Sequence, residues 1–542
     1  MAVAGCTTHL GIGGLGIGLV ASLSVGGESM IETLIDSLIS WTTAYSFWPL
    51  VIMGLSFGVA LAVFLIAEER VWLRSTVNIL AALVKLLLVL ALMPSLLQGH
   101  VYEIGWTIVP GLTLLLKIDG LAMLFLVLSV FLWLLTTLYA IGYLEGGINR
   151  ARFFGFFNLC VSATTGVAMA GNLFTFIIFY ELLTLATWPL VVHRGTQKAL
   201  DAGRIYLIYT LVGGLVLLTA AIGLHVLVGT QAFAVGGYLN DYWAANPDMA
   251  PVLFGLGLVF IAGFGVKAAL FPFHGWLPTA MVAPAPVSSL LHAVAVVKAG
   301  AFGLTRFVYE IYGIHVFSDL YLHWVLLVLA SFTIVYGSVR ALYQSDIKKR
   351  LAFSTVSQVS YVALGLALAG PVGAIGGMIH IVHQGFMKIT LFMAAGNYAE
   401  TLGIHKIKEL NGVGRVMPLT TLAFTIGALG MIGLPPLAGF ITKWYLGLGA
   451  WESGFYWVIG VLVISSLLNA AYFLPTIYRA WFLPPPAEWP HRQVLSQRFE
   501  THFLLLAPPL VTTIMIIVLG VWAGHLATPL GWVSTLVASE FK

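Results

Sequence analysis

Fourteen apolar runs of about 20 residues, separated by polar breaks, constrain this chain more than any other feature. They fall at about 48–67, 76–97, 121–142, 153–170, 173–192, 204–229, 252–275, 287–308, 322–340, 352–369, 372–397, 417–450, 455–478 and 503–525. A helix of about 20 residues crosses the hydrocarbon core of a bilayer. In lipid, only helices and closed barrels satisfy all their backbone polar groups. Charged residues make up 8% of the chain and hydrophobic ones 60%, against about 25% charged in soluble domains. The expectation is an all-α integral membrane protein with about 14 transmembrane helices in one domain, 48–525. Its 58 glycines suit close helix packing in lipid.

Two of the runs read as broken helices. The 417–450 run is too long for one straight span and carries Gly433-Leu434-Pro435-Pro436 at its centre. The segment 252–278 meets Pro272 and Pro278. Broken helices at membrane depth are tolerated where they line a cavity or pack in protein. Outside the spans, 1–47 is expected as an N-terminal extension. Its Gly-rich apolar run at 11–25 lacks a basic flank and fits a signal peptide poorly, and Met30 is an alternative start. Residues 479–502, with Pro484-Pro485-Pro486, read as a cytoplasmic loop, and 526–542 as a C-terminal tail.

The composition excludes several chemistries. Cys6 and Cys160 offer neither a disulfide framework nor the roughly four thiolates of an iron–sulfur cluster. No Walker-type phosphate loop is present, and no soluble catalytic domain. No catalytic centre, cofactor or nucleic-acid partner is expected in this chain.

Charge placement orients the spans. Arg70, Arg74, Arg150, Arg152, Arg194, Lys198, Arg204, Arg340, Lys348, Lys349, Arg350, Lys406, Lys408, Arg415, Arg479, Arg492 and Arg498 are seventeen of the 25 Lys and Arg. With fourteen spans, all belong to loops on one face. The other face keeps Lys117 and Arg306, at span edges, and the terminal Lys542. The positive-inside rule makes the basic face cytoplasmic. A bacterial inner membrane is expected, with both termini on its outer side.

Five basic residues remain inside apolar spans: Lys85, Lys267, Lys298, Lys388 and Lys443, together with one acid, Glu181. Each costs roughly 2.5–3.5 kcal/mol at the bilayer centre on insertion scales. All five cations are lysine. Arginine stays protonated, whereas a buried lysine can release its proton. A lone lysine could be half of a structural pair or could snorkel to the surface. Six such groups in one chain point to an ion pathway. His292 lies six residues before Lys298, His380 and His383 stand at i,i+3 before Lys388, and His274 follows Pro272. Imidazole can pass a proton near neutral pH. The His380/His383 spacing would also suit zinc, but no third ligand lies near in sequence, so no metal is expected.

The ordered motifs carry a resemblance. They are Val266-Lys267-Ala268-Ala269-Leu270-Phe271-Pro272-Phe273-His274-Gly275-Trp276-Leu277-Pro278, Ala283-Pro284-Ala285-Pro286-Val287-Ser288, the stretch 292–300, Asp346-Ile347-Lys348-Lys349-Arg350-Leu351-Ala352-Phe353-Ser354, the stretch 383–396, and Gly433-Leu434-Pro435-Pro436. Over about 115–480 the chain resembles the antiporter-like subunits of respiratory complex I and of Mrp-type cation/proton antiporters. Segments 139–145 and 182–193 are most similar to the D-type member of the Mrp set. The resemblance implies an antiporter-like fold of fourteen helices with two five-helix repeats. It also implies that Glu181 pairs with Lys267, that Lys298 is the eighth-helix lysine, that Lys388 and His383 form the eleventh-helix polar site, and that Lys443 is the twelfth-helix group. Lys85 matches no family position.

The expected function is a proton-translocating membrane subunit of a multi-subunit, Mrp-like monovalent cation/proton antiporter, with protons and Na+ or K+ as candidate ions. Three alternatives stand beside it. One is a proton-pumping subunit of a quinone-linked NADH dehydrogenase-like or membrane hydrogenase complex. Another is a membrane partner in inorganic-carbon uptake. The last is a structural subunit with a relic channel, against which the intact set of titratable lysines argues.

Overall fold

The computed structural model describes residues 33, 35–144, 146–490, 500–525 and 528–541. Cys6, Met30, Arg492, Arg498, Lys542 and, of the expected N-terminal extension, 1–32 and residue 34 lie outside the described residues. The long helices are α1 Trp48–Leu65, α2 Val71–Leu97, α3 Gly120–Tyr143, α4 Arg150–Ala168, α5 Leu173–Val191, α6 Gln197–Val228, α7 Ala250–Lys267, α8 Ala285–Ala293, α9 Val296–Arg306, α10 Leu322–Leu342, α11 Ile347–Ala367, α12 Pro371–Leu402, α13 Pro418–Ile432, α14 Ala438–Glu452, α15 Tyr456–Phe482, α16 Phe503–Val521 and α17 Pro529–Glu540. Every one of the fourteen apolar runs is helical. Among the described residues, ten helices are long and apolar enough to cross a membrane. The other runs, α4, α11, α12 and the α13–α14 pair, are diluted by buried polar residues such as Asn158, Ser354, Gln358, His380 and Gln384 or are interrupted. Helix α15 extends to Phe482, so the expected loop at 479–502 begins in helix; α17 forms within the expected C-terminal tail.

Sequence chemistry sets the helix ends. Asp119 accepts from Ala122 N at 2.8 Å at the start of α3, Asn172 from Thr175 N at 2.8 Å at α5, and Asp346 from Lys349 N at 2.9 Å at α11. Each occupies a backbone donor that the first helical turn leaves free. Helix α12 is the central strut, buried along most of its length and packed against α8, α11, α13, α14 and α16.

Both expected breaks are present. After Lys267, Ala269 turns left-handed (φ 56°) and the Phe271-Pro272 bond is cis. Between α13 and α14, Gly433 takes φ 92°, a conformation that side chains resist. A third break, at Val294-Ala295, separates α8 from α9. No proline or glycine marks it. In all three, the lysine lies on the side of the break away from the basic loops.

The helical expectation misses one element. Tyr102–Val109 (β1) and Leu112–Ile118 (β2) form an antiparallel hairpin between α2 and α3. Pro110-Gly111 is its turn, and a Pro-Gly pair is a recognisable turn signal.

Two arginines need correction. Arg306, expected at a span edge, is 1% exposed and lies at the end of α9, where the helix widens into a π-turn, Phe307–Tyr312. Arg74, expected in a basic loop, is 1% exposed on the buried face of α2. The inventory of buried charge is therefore not lysine alone, and Glu181 is not the sole buried acid. Glu310 is 4% exposed. Both corrections have one cause: a paired guanidinium can sit inside, because its partners supply the hydrogen bonds and charge that water would.

Candidate functional site

Glu181 and Lys267 meet as expected. Helix α7 ends at Lys267, which places the ammonium at the negative end of the helix. Its Nζ lies 3.8 Å from Glu181 Oε1, donates to the Tyr180 carbonyl and sits 3.4 Å from the centre of the Tyr180 ring. Lys267 is fully buried, while the Glu181 side chain is 27% exposed. The carboxylate lies over Gly214, where a Cβ would stand 2.0 Å from Oε1. Only glycine leaves room for it there.

Lys298 occupies the first turn of α9, just past the third break. It is 0% exposed, and its Nζ has no hydrogen-bond partner among the described residues. Both ring nitrogens of His292 and of His380 are likewise buried without partners. His292 stacks on Phe392, with ring centres 4.4 Å apart. The charges of Lys298 and Lys443 both reach His380, and that of Lys298 reaches His383 and Lys388. His383 shares a 3.0 Å hydrogen bond with Thr442, next to Lys443.

Lys388 donates to Ser354 Oγ at 2.6 Å and to the Leu351 carbonyl at 3.3 Å. Tyr472 donates to the same Ser354 hydroxyl at 2.8 Å and also bonds Asn469. Lys443, half-buried, donates to Ile432 O at 2.6 Å, a carbonyl freed by the α13–α14 break, and to Ser466 Oγ at 2.7 Å. Tyr361 bridges the line. Its ring lies 5.3 Å from His380 and 5.7 Å from the Lys443 Nζ. Ser354, Tyr361, Tyr472 and the buried, unpartnered amides of Gln358 and Gln384 were not predicted. Their signal was available: a run of Ser, Gln and Tyr inside an apolar helix.

His274 does not join these groups. It stacks on Phe271, meets the Tyr336 ring edge-on, and lines a cavity of about 490 Å³ with Lys198, Asp201 and Arg340. Lys85 is also apart. It is 0% exposed, with Ser56 Oγ at 2.8 Å and Thr165 Oγ1 at 3.3 Å, and no carboxylate pairs with it among the described residues. A buried cation without an anion stabilises little. Lys85→Met should therefore translocate within about twofold of wild type and be no less stable by thermal denaturation, since a hydrophobic replacement of similar volume is often neutral or stabilising.

A polytopic helical bundle with three broken helices, a buried Glu–Lys pair and a line of lysines and histidines defines an ion-translocating membrane subunit. Comparison with known proteins gives the particular family. Residues 170–469 match the family described as NADH:quinone oxidoreductase/Mrp antiporter, TM, and residues 106–154 match NADH-Ubiquinone oxidoreductase (complex I), chain 5 N-terminus. The chain is 36% identical over 452 residues to NADH-quinone oxidoreductase subunit N of Desulforudis audaxviator, covering 80% of this chain and 87% of that protein. It is 32% identical over 464 residues to a probable K(+)/H(+) antiporter A/B subunit of Rhizobium meliloti, covering 83% of this chain but only 45% of that protein. Its fold is shared with a chain of the Mrp complex from Dietzia sp. DQ12-45-1b (TM-score 0.78, 23% identity, 92% of this chain and 97% of the other). A chain of respiratory complex I from Thermus thermophilus is also similar (TM-score 0.74, 23% identity, 91% and 99%). The chain belongs to the NADH:quinone oxidoreductase/Mrp antiporter family and is a multi-pass membrane protein.

Proposed function

We propose that this chain is the proton-translocating membrane subunit of a multi-subunit, Mrp-like monovalent cation/proton antiporter. The observation that carries the reading is the succession of titratable groups from the Glu181–Lys267 pair through Lys298 and His380 to Lys388 and Lys443, within one buried interior. Glu181 holds Lys267 protonated. When the carboxylate withdraws or takes a proton, Lys267 loses its partner and gives its proton toward Lys298, the histidines and Lys388. Lys443 is the far end. Each step needs only a change of pairing in a low-dielectric interior. We place the chain in a bacterial inner membrane with fourteen crossings and the basic loops cytoplasmic. His274 serves as an entry group at the cytoplasmic face.

A second reading has its own support. The subunit N relative is matched over 87% of its length and is named as part of a quinone oxidoreductase. In that setting the same line is driven by redox chemistry in other subunits. Transport by the purified complex in proteoliposomes separates the two. A sodium or potassium gradient is expected to drive proton flux in the antiporter, and no response to either gradient favours the redox reading. Lys267→Ala and Glu181→Ala variants that both translocate normally would sink the relay itself.

A further inference from the structure

A second charged cluster, unused by the relay described above, closes the end of the bundle opposite the basic loops. Arg306 donates to both oxygens of Asp119, at 2.8 and 2.9 Å, and bonds Glu310. Lys117 Nζ lies 3.9 Å from Asp119 and donates to the Phe233 carbonyl at 3.0 Å. Helix α17 then lays Glu540 over the cluster. Glu540 accepts from Gly236 N at 2.9 Å, and its charge reaches Glu310, Arg306 and Asp119. Beside it, the Tyr309 hydroxyl is buried with no hydrogen-bond partner among the described residues, and the Tyr309 ring lies 6.0 Å from Phe541. Three carboxylates face two cations, so the cluster has room for one proton.

The cluster is aligned with the relay. Lys298, Phe302, Arg306 and Glu310 recur at four-residue spacing along α9 and its π-turn, which places them on one face. Phe302 stacks on Phe125 with ring centres 4.9 Å apart, and the Arg306 guanidinium carbon lies 5.2 Å from the Phe302 ring. The Phe125–Phe302 pair thus lies on this face of α9 between the turn that carries Lys298 and the turn that carries Arg306. π-Turns occur often at functional sites.

We propose that Asp119, Arg306 and Glu310, capped by Glu540, form the proton-release station of this chain on the face opposite the basic loops, closed from Lys298 by the Phe125–Phe302 pair. The proposal rests on the relay reading above. When the rings part, the Lys298 ammonium gives its proton to this exit instead of passing it on toward Lys388 and Lys443, and becomes a neutral amine. Water admitted between the parted rings carries the proton to a Glu310 carboxylate oxygen; it then passes to Glu540 and leaves to bulk water, which restores the carboxylate. Arg306 and Lys117 stay charged throughout and hold the carboxylates in place.

Glu540 also couples release to the docking of α17. Burial and the Glu310 carboxylate push its carboxyl up to about 8, against the pull of the Gly236 amide and Arg306. A carboxyl whose affinity is raised in the folded state favours that state while protonated. Its contribution is present at low pH and is lost as pH rises through about 8.

The experiment uses the reconstituted complex. Hydrogen exchange should show the protection of 529–540 falling at least about tenfold between about pH 6.5 and about pH 9.5, after correction for intrinsic rates. Glu540→Gln should abolish that step and slow proton release at least about fivefold, while Glu540→Asp restores both. Lys298→Ala should stop translocation and leave the exchange profile unchanged. A wild-type profile shared by Glu540→Gln, or wild-type release in that variant, overturns the release station and leaves the relay standing. Normal translocation by Lys298→Ala removes the relay reading instead.

Discussion

Replacing Lys298 by arginine is expected to stop proton translocation as completely as replacing it by alanine, by at least about a hundredfold, the lower end of what a positioned proton-transfer group contributes. The two substitutions separate charge from titration. Arginine keeps the positive charge at this position but does not give up its proton in proteins. Were Lys298 a structural cation, arginine would preserve it. Its surroundings permit the test, because Lys298 has no ion-pair or hydrogen-bond partner among the described residues whose loss would confuse the outcome. Proton flux measured in proteoliposomes, beside the folded yield of each variant, checks the prediction. Arginine activity near wild type would show that only the charge matters.

Arg306→Ala is expected to give the largest loss of stability, about 3–5 kcal/mol, the cost of removing one partner from a buried ion pair. Asp119 would lose two hydrogen bonds and its nearest cation, and Glu310 would be left at 4% exposure with no cation bonded to it. The double variant Arg306→Leu with Glu310→Leu should recover part of that loss, because it removes the second uncompensated charge as well. Chemical denaturation in detergent, followed by tryptophan fluorescence, reads both. A single variant that denatures like wild type would mean that the cluster is solvated and contributes little.

The sequence exposes most of the helical framework for one physical reason. In lipid, every apolar run must close its own hydrogen bonds, so length and hydropathy locate the helices. The two proline-marked breaks were legible because proline cannot continue the backbone ladder. The break at Val294-Ala295 was not, since both residues are ordinary helix or strand formers and the break is imposed by packing around them. The hairpin at 102–118 was masked by apolarity, although Pro110-Gly111 signalled its turn. Within the site, Glu181 and Lys267 were legible as buried charges from their residue types, and their pairing only through what the family resemblance implies. Its geometry depends on Gly214, which nothing local in the sequence links to residue 181. Arg306 was misplaced because a sequence places a charge by its apolar neighbours, while its partners Asp119 and Glu310 come into contact only in three dimensions. The hydroxyls and amides around Lys388 and Lys443 were overlooked because they lower the hydropathy of a span without adding a charge, and so read as dilution and not as a site.

The three breaks have an electrical consequence. Lys267 stands at the break that divides its crossing, Lys298 just beyond the α8–α9 break, Lys388 near the middle of α12, and Lys443 shortly past the α13–α14 break. Each of the four therefore sits inside its crossing, away from both ends. Moving a unit charge across the full membrane potential is worth about 2.3 kcal/mol per 100 mV. A proton passed sideways among groups inside their crossings traverses only part of that field. The rest of the voltage falls on the steps that bring the proton in and let it out, so applied potential should alter entry and release more than the lateral transfers.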